Sequence, residues 1–281
     1  MALVNYIDIL KFAREHKVTI GAFNSMNMES VQAVVSAADE MNTPLIVQSY
    51  RAHVAFAGAD YMRAIAEVAA RHAHVPIAMG LDHGNSFELS RVCIENGYTG
   101  VMIDLASEDY DVNVRETRRV VELAHRHNVS VEAELGTIHT ADSSIETIAS
   151  GYTDPEVARR FVRDTGIDCL AVSIGTAHGI YKYTPKINFE LLKELVKETP
   201  CPIVVHGGSD TPDEDILRMV EMGVAKLNVG TDFFIAYNTA LRDFFAEHGT
   251  HCEVVDAMAA ARAAIKKVAL EKLKLLTAYR V

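Results

Sequence analysis

Eight short apolar runs, each followed by a longer amphipathic stretch, predict an α/β protein: a closed (β/α)8 barrel of parallel strands ringed by helices. Two further observations agree. The chain has 281 residues, close to the ~250 that one such TIM barrel takes, and no linker, low-complexity stretch or short repeat divides it. The first strand leads into Gly21-Ala22-Phe23-Asn24, which is not the glycine-rich phosphate turn that an open doubly wound sheet places there. Residues 1–281 are therefore read as a single domain.

The strands are expected at residues 19–23, 45–48, 77–81, 100–103, 130–134, 169–173, 203–205 and 225–229, mostly rich in Val, Ile and Leu with few charges, as strands buried on both faces require. Helices are expected between them at 29–41, 60–73, 87–96, 112–127, 155–165, 189–198, 212–221 and 231–247, with a last one at 253–276. Punctuation supports the boundaries. Thr211-Pro212 ahead of Asp213 and Glu214 reads as an N-cap, a proline in the first turn and favourable acidic charge. Thr153-Asp154-Pro155-Glu156 reads the same way. Gly97, Gly166 and Gly223 each end a helix just before a strand. The longest irregular segment, 136–152 after strand five, is expected to be an active-site lid, because it lies on the face where barrels keep their chemistry.

Composition narrows the function. Hydrophobic residues make up 49% and charged residues 23%, as in an ordinary soluble globular protein. A formal net charge of −11 argues against nucleic acid or an anionic membrane as partner. No apolar run reaches the ~20 residues of a membrane span, and the amphipathic start of the chain does not read as a signal peptide. Cys93, Cys169, Cys201 and Cys252 are far apart and read as free thiols, with Cys169 buried, in a reducing cytoplasm.

A barrel keeps its active site at the C-terminal ends of its strands. The polar residues falling there are Asn24, Asp82-His83-Gly84, Asp104, Glu132 and Glu134, Ala177-His178-Gly179, His206-Gly207-Gly208-Ser209 and Asn228-Val229-Gly230-Thr231-Asp232. Three histidines converging on one mouth, with carboxylates nearby, have the composition of a catalytic Zn2+ site with one position left open for water or substrate. Gly179, Gly207 and Gly208 let backbone amides approach a ligand, Ser209 adds a hydroxyl, and Asn228 to Thr231 precede a helix N-terminus. Together they read as a phosphate site. A metal beside a phosphate ester suits polarisation of a carbonyl, and carbon–carbon cleavage next to it needs a proton acceptor and donor. Asp82 is the leading candidate, the alternative being that it orients a metal ligand.

These motifs, with Glu132-Ala133-Glu134-Leu135-Gly136, resemble the class II fructose-bisphosphate and tagatose-bisphosphate aldolase family over nearly the whole chain. The resemblance implies that His83, His178 and His206 bind zinc, with Glu134 a supporting or alternate ligand. It implies that Asp82 exchanges a proton with the aldehyde-derived hydroxyl. Gly179, Gly207 to Ser209 and Asn228 to Thr231 would hold the phosphate of dihydroxyacetone phosphate. Carbonyls near His178 and His206 would take a monovalent cation, Na+ or K+. The assembly would be a homodimer or homotetramer, and the partner a small sugar phosphate.

The sequence departs from that pattern around the second substrate. The lid reads His139-Thr140-Ala141-Asp142-Ser143, so Asp142 stands where the family carries a catalytic Glu, and Glu146 is next in line. Asp104-Leu105-Ala106 lacks the usual serine. An arginine for the far phosphate aligns with Ala259, although Arg262 is near, while Arg51 and His53 follow strand two on the same face. The reading is an aldolase for a ketose 1,6-bisphosphate or ketose 1-phosphate. Its alternative is a substrate without the second phosphate, such as a uronate- or sulfo-sugar 1-phosphate. A Schiff-base aldolase would use Lys226 and leave the three histidines unexplained. A non-catalytic subunit of the same fold would need none of these groups.

Overall fold

The computed structural model describes residues 2–281. Eight parallel strands close into a barrel in chain order, each paired only with its sequence neighbours and the first with the last. The elements run α1 (Tyr6–His16), β1 (Ile20–Asn24), α2 (Met28–Glu40), β2 (Leu45–Tyr50), α3 (Arg51–Ala57), α4 (Ala59–His72), β3 (Ile77–Gly84), α5 (Phe87–Glu95), β4 (Gly100–Ile103) and α6 (Tyr110–Arg126). They continue with β5 (Ser130–Leu135), α7 (Ile145–Ser150), α8 (Pro155–Thr165), β6 (Cys169–Val172), α9 (Phe189–Glu198), β7 (Ile203–Val205), α10 (Asp213–Glu221), β8 (Lys226–Val229), α11 (Thr231–His248) and α12 (Val254–Leu276). All eight expected strands are present, and three helices were not expected. No helix among the described residues is long and apolar enough to cross a membrane.

The two-residue period of a strand sorts the side chains. Phe23, Val47, Met79, Leu81, Val101, Ile103, Val131, Ala133, Leu170, Val172, Val205, Leu227 and Val229 face the helices and form the main core. Their neighbours in sequence face the lumen. Near its N-terminal end the lumen is apolar, filled by Ile20, Ala22, Ile46, Ala78, Met102, Ala171 and Val204 and closed by Tyr6, Ile9 and Leu10 of α1. Tyr6 reaches in because β3 and β4 carry Gly80 and Gly100 there. A Cβ on Gly80 would lie 1.4 Å from the Tyr6 hydroxyl oxygen. On β1 and β3 the inward series turns polar toward the mouth, Ile20, Ala22, Asn24 and Ala78, Gly80, Asp82, whereas on β5 it is polar throughout, Ser130, Glu132, Glu134. On β1 and β3 the polar residue thus takes the last inward position of a strand whose earlier inward positions pack.

The caps explain most boundaries. Asp154 accepts from the amides of Glu156 and Val157 with Pro155 in the first turn of α8, as expected. At α10 the expectation fails: the cap is Pro212, with no side-chain cap bond. The Thr211 hydroxyl instead donates to the Gly207 carbonyl at 2.8 Å, tying the loop after β7 to itself. The segment 136–152 is not wholly irregular. It contains α7, its two ends are joined by Thr137 N to Gly151 O at 2.8 Å, and its middle is tied to the loop after β6 by Ala141 N to His178 O at 2.8 Å.

Candidate active site

The C-terminal mouth of the barrel holds a cavity of ≈ 380 Å³, lined by residues from β1, β2, β3, β5, β8 and the loops that follow the strands. A larger cavity of ≈ 760 Å³ lies at the opposite end, around the start of β7 and β8, walled mostly by aliphatic side chains and prolines. The residues expected to carry chemistry line the smaller one. Asn24, Arg51, Asp82, His83, Asp104, Glu134, His178, Gly179, His206, Gly207, Ser209, Asn228, Gly230 and Thr231 all line it.

Asp82 and His83 adjoin in sequence, so in a regular strand only one of them would face inward. β3 solves this with a register shift between Leu81 and Gly84 and with His83 at φ 48°, in the left-handed region. A bulge of this kind re-aims a side chain, and a bulky residue held there costs on the order of 1–3 kcal/mol. Both side chains then point into the mouth. Gly207 solves a different problem: at φ 76° it passes so near the Ala177 carbonyl that a Cβ would lie 2.4 Å from that oxygen. That close approach brings the loop of His206 against the loop of His178.

One nitrogen from each of His83, His178 and His206 lies within 4.8 Å of the others. His83 Nε2 is 3.2 Å from His178 Nε2 and 2.9 Å from His206 Nδ1. The rear nitrogens are held by carboxylates, His83 Nδ1 by Asp104 at 2.7 Å and His206 Nε2 by Glu132 at 2.8 Å. Such backing fixes the ring and tautomer of a metal ligand. Burial and the charge of His83 push His178 down to about 4, and burial with the charges of His83 and Lys226 drives His206 well below its ordinary value. Burial also opposes charge on His83, but Asp82, Asp104 and Glu134 outweigh it and raise that ring to about 9. Three inward nitrogens, two of them on neutral rings, form a donor set suited to a divalent metal. His83, Asp104 and Glu134 form a second group of metal-ligating type. Burial and the charge of Asp104 push the Glu134 carboxyl up to about 8.

Asp82 is 3% exposed and clamped on both oxygens. Asn228 Nδ2 donates to one at 3.0 Å and Asn24 Nδ2 to the other at 2.8 Å. Burial works to raise its pKa. The charges of His83, His206 and Lys226 and the bond from Asn24 overcome that and hold it below the usual carboxylate value. Lys226 is fully buried, its ammonium 2.8 Å from Glu132 and 2.6 Å from Asn228 Oδ1.

On the β7–β8 side, the Ser209 hydroxyl accepts from the amides of Gly230 and Asp232, both at 3.2 Å. Gly208 N donates to Asn228 O at 2.9 Å. Gly208 and Val229 do not line the cavity, and the Val229 side chain lies in the core between barrel and helices. On the β2 side, the Arg51 guanidinium lies 5.4 Å from the Tyr50 ring centroid, and among the described residues no carboxylate pairs with it. Tyr50, Ile138, Thr140 and Phe234 complete the wall. They carry no motif, and only their position after strand ends could have singled them out. Asp142 is exposed, outside the cavity, and accepts from the Thr140 hydroxyl at 2.6 Å. Arg262 is far from the mouth, donating to Gln32 of α2 at 3.0 Å. His72, His74, His125 and His127 are exposed.

Fold and site together define a barrel protein with a histidine cluster of metal-ligating type at its C-terminal mouth. Residues 4–279 match the family model described as fructose-bisphosphate aldolase class-II. The chain is 38% identical over 280 residues to a probable fructose-bisphosphate aldolase of Bacillus subtilis (strain 168), covering 98% of this chain and 97% of that one. It is 38% identical over 270 residues to the D-tagatose-1,6-bisphosphate aldolase subunit GatY of Klebsiella oxytoca, covering 95% of each. Among solved structures it resembles the YdjI aldolase of Escherichia coli K12 with a TM-score of 0.86 at 31% identity, over 98% of this chain and 97% of that one. The chain belongs to the class II fructose-bisphosphate aldolase family, and it is a carbon–carbon lyase of the aldolase type.

Proposed function

We propose that the protein is a zinc-dependent aldolase that reversibly cleaves a ketose phosphate to dihydroxyacetone phosphate and an aldehyde. The observation that carries this is the meeting of three histidine nitrogens with a clamped Asp82 in one cavity. His83, His178 and His206 hold the metal, and Glu134 stands by as a further ligand. When bound, zinc supplies Lewis-acid polarisation of the ketone carbonyl. Gly179, Gly207, Ser209, Asn228, Gly230 and Thr231 orient the phosphate end, and the N-terminus of α11 favours its negative charge. In cleavage, Asp82 takes the proton of the hydroxyl that becomes the aldehyde oxygen as the carbon–carbon bond breaks. The electron pair stays with the donor fragment, whose carbon is then reprotonated. Asp142 is assigned that second proton transfer, by movement of the 136–152 segment over bound substrate.

A second reading concerns the far end of the substrate. Arg51 is a cation in the cavity wall without a carboxylate partner among the described residues, and Arg262 is engaged elsewhere. Arg51 therefore suits a substrate with an anionic far end, a carboxylate, a sulfonate or a second phosphate. The relatives named for fructose and tagatose bisphosphates favour the bisphosphate reading. A Schiff base at Lys226 is disfavoured by its complete burial and its ion pair with Glu132. Exposed Met28 and Val68, which line one groove between α2 and α4, are in keeping with assembly as a homodimer or homotetramer. Four free cysteines are in keeping with a cytoplasmic protein, and carbonyls near His178 and His206 offer oxygen ligands to a monovalent cation. The deciding experiment compares kcat/KM for fructose 1,6-bisphosphate, tagatose 1,6-bisphosphate and several ketose 1-phosphates. Release of dihydroxyacetone phosphate from at least one of them is expected, and none from any would reject the reading.

A further inference from the structure

Lys272 lies near the end of α12, on the outer layer, yet its side chain is only 12% exposed. It runs inward behind the mouth. Its ammonium is 3.0 Å from Asp232 Oδ2 and 3.2 Å from the Gly208 carbonyl oxygen. Gly208 belongs to the loop after β7, and Asp232 to the first turn of α11 after β8. Asp232 Oδ1 accepts from the amide of Asp210 at 3.2 Å, and the Asp232 amide donates to Ser209. One cation thus joins, from behind, the two backbone segments assigned to the donor phosphate.

We propose that Lys272 is a positioning residue for the donor phosphate, acting through Asp232 and the Gly208 carbonyl. This rests on the phosphate assignment above and extends it to a residue that does not line the cavity. The effect of Lys272 is electrostatic as well as geometric. Asp232 caps the two loops together with its carboxylate, but a negative charge in the first turn of α11 opposes a phosphate dianion at the same helix end. It competes for the positive end of the helix dipole. Lys272 cancels that charge at 3.0 Å while leaving the bond from Asp210 in place. Its second bond holds the Gly208 carbonyl away from the mouth, where it would face the phosphate with a like partial charge.

The test uses the intact zinc-loaded enzyme, its substrate and inorganic phosphate as a competitive probe. In Lys272→Met, KM for the ketose phosphate and the inhibition constant for phosphate should both rise, by about tenfold, a ~1.4 kcal/mol effect. kcat should change only a few-fold, and zinc content and thermal midpoint should stay near those of the parent. Lys272→Arg should recover most of the loss. Lys272→Met with Asp232→Asn should bind phosphate better than Lys272→Met alone, because the uncompensated charge is gone; a brace acting by shape only would not be rescued this way. Unchanged phosphate inhibition in folded Lys272→Met would overturn the proposal. If the parent enzyme is not inhibited by phosphate at all, the donor-site assignment falls and this proposal with it.

Discussion

On the β7–β8 side of the mouth, Ser209, Asn228, Asp232 and Lys272 each hold at least two hydrogen bonds or ion pairs. On the opposite side, formed by β2 and the segment after β5, Arg51 has no carboxylate partner among the described residues and Asp142 is exposed, bonded to Thr140. The first region is prearranged by backbone and buried bonds, so little reorganises when a phosphate arrives. The second is held by fewer bonds, Asp142 by the Thr140 hydroxyl and Arg51 against the Tyr50 ring.

The largest effect that sharpens this contrast lies at its boundary. His206→Ala removes one of three converging nitrogens, so metal and turnover should be lost together; full zinc content by elemental analysis in that variant would break the assignment. Asp82→Asn should keep the metal and lose ~10²-fold or more in kcat, as for removal of a general acid or base. An active variant would move that role elsewhere. Asp142→Ala tests the adaptable side. Exchange of solvent deuterium into dihydroxyacetone phosphate should fall by ~10²-fold, and undiminished exchange would transfer the role, with Glu146 the next candidate. Arg51→Ala should lower kcat/KM for an anionic-ended acceptor by one to two orders of magnitude, the worth of a charge-assisted bond of ~1.5–3 kcal/mol. Preference for a bisphosphate with Arg51→Ala harmless would leave Arg51 a bystander. The smallest effect concerns the frame that carries both regions. Burial pushes the Cys93 and Cys201 thiols up to about 12 and Cys169 well above its ordinary value. At pH 8 these three lie below their pKa, hence protonated and unreactive. Iodoacetamide should modify only Cys252 in the folded protein; rapid loss of more than one thiol would show a looser barrel.

Much of the frame is legible in the sequence because it is local. Apolar runs bounded by Gly97, Gly166 and Gly223 mark strands, and the polar residues that end them mark the mouth. α3 and α7 escape such reading because they bury almost nothing: Val54 is the one buried residue of α3, and α7 has none. The bulge at His83 is equally silent, since adjacent Asp82 and His83 do not reveal how both face inward. Lys272 is hidden for another reason. Its partner Gly208 is 64 residues away, and a lysine on an outer helix gives no local sign that it turns inward. Thr211 misleads in the opposite sense, reading as a helix cap while its hydroxyl closes a loop.

The central claim is that His83, His178 and His206 bind one catalytic zinc. Its most direct test is zinc content measured with turnover before chelation, after it and after zinc is restored. One zinc per chain is expected, with cleavage abolished by the chelator and returned by the metal. Full cleavage in zinc-free protein, or a borohydride-trapped adduct at Lys226, would contradict it.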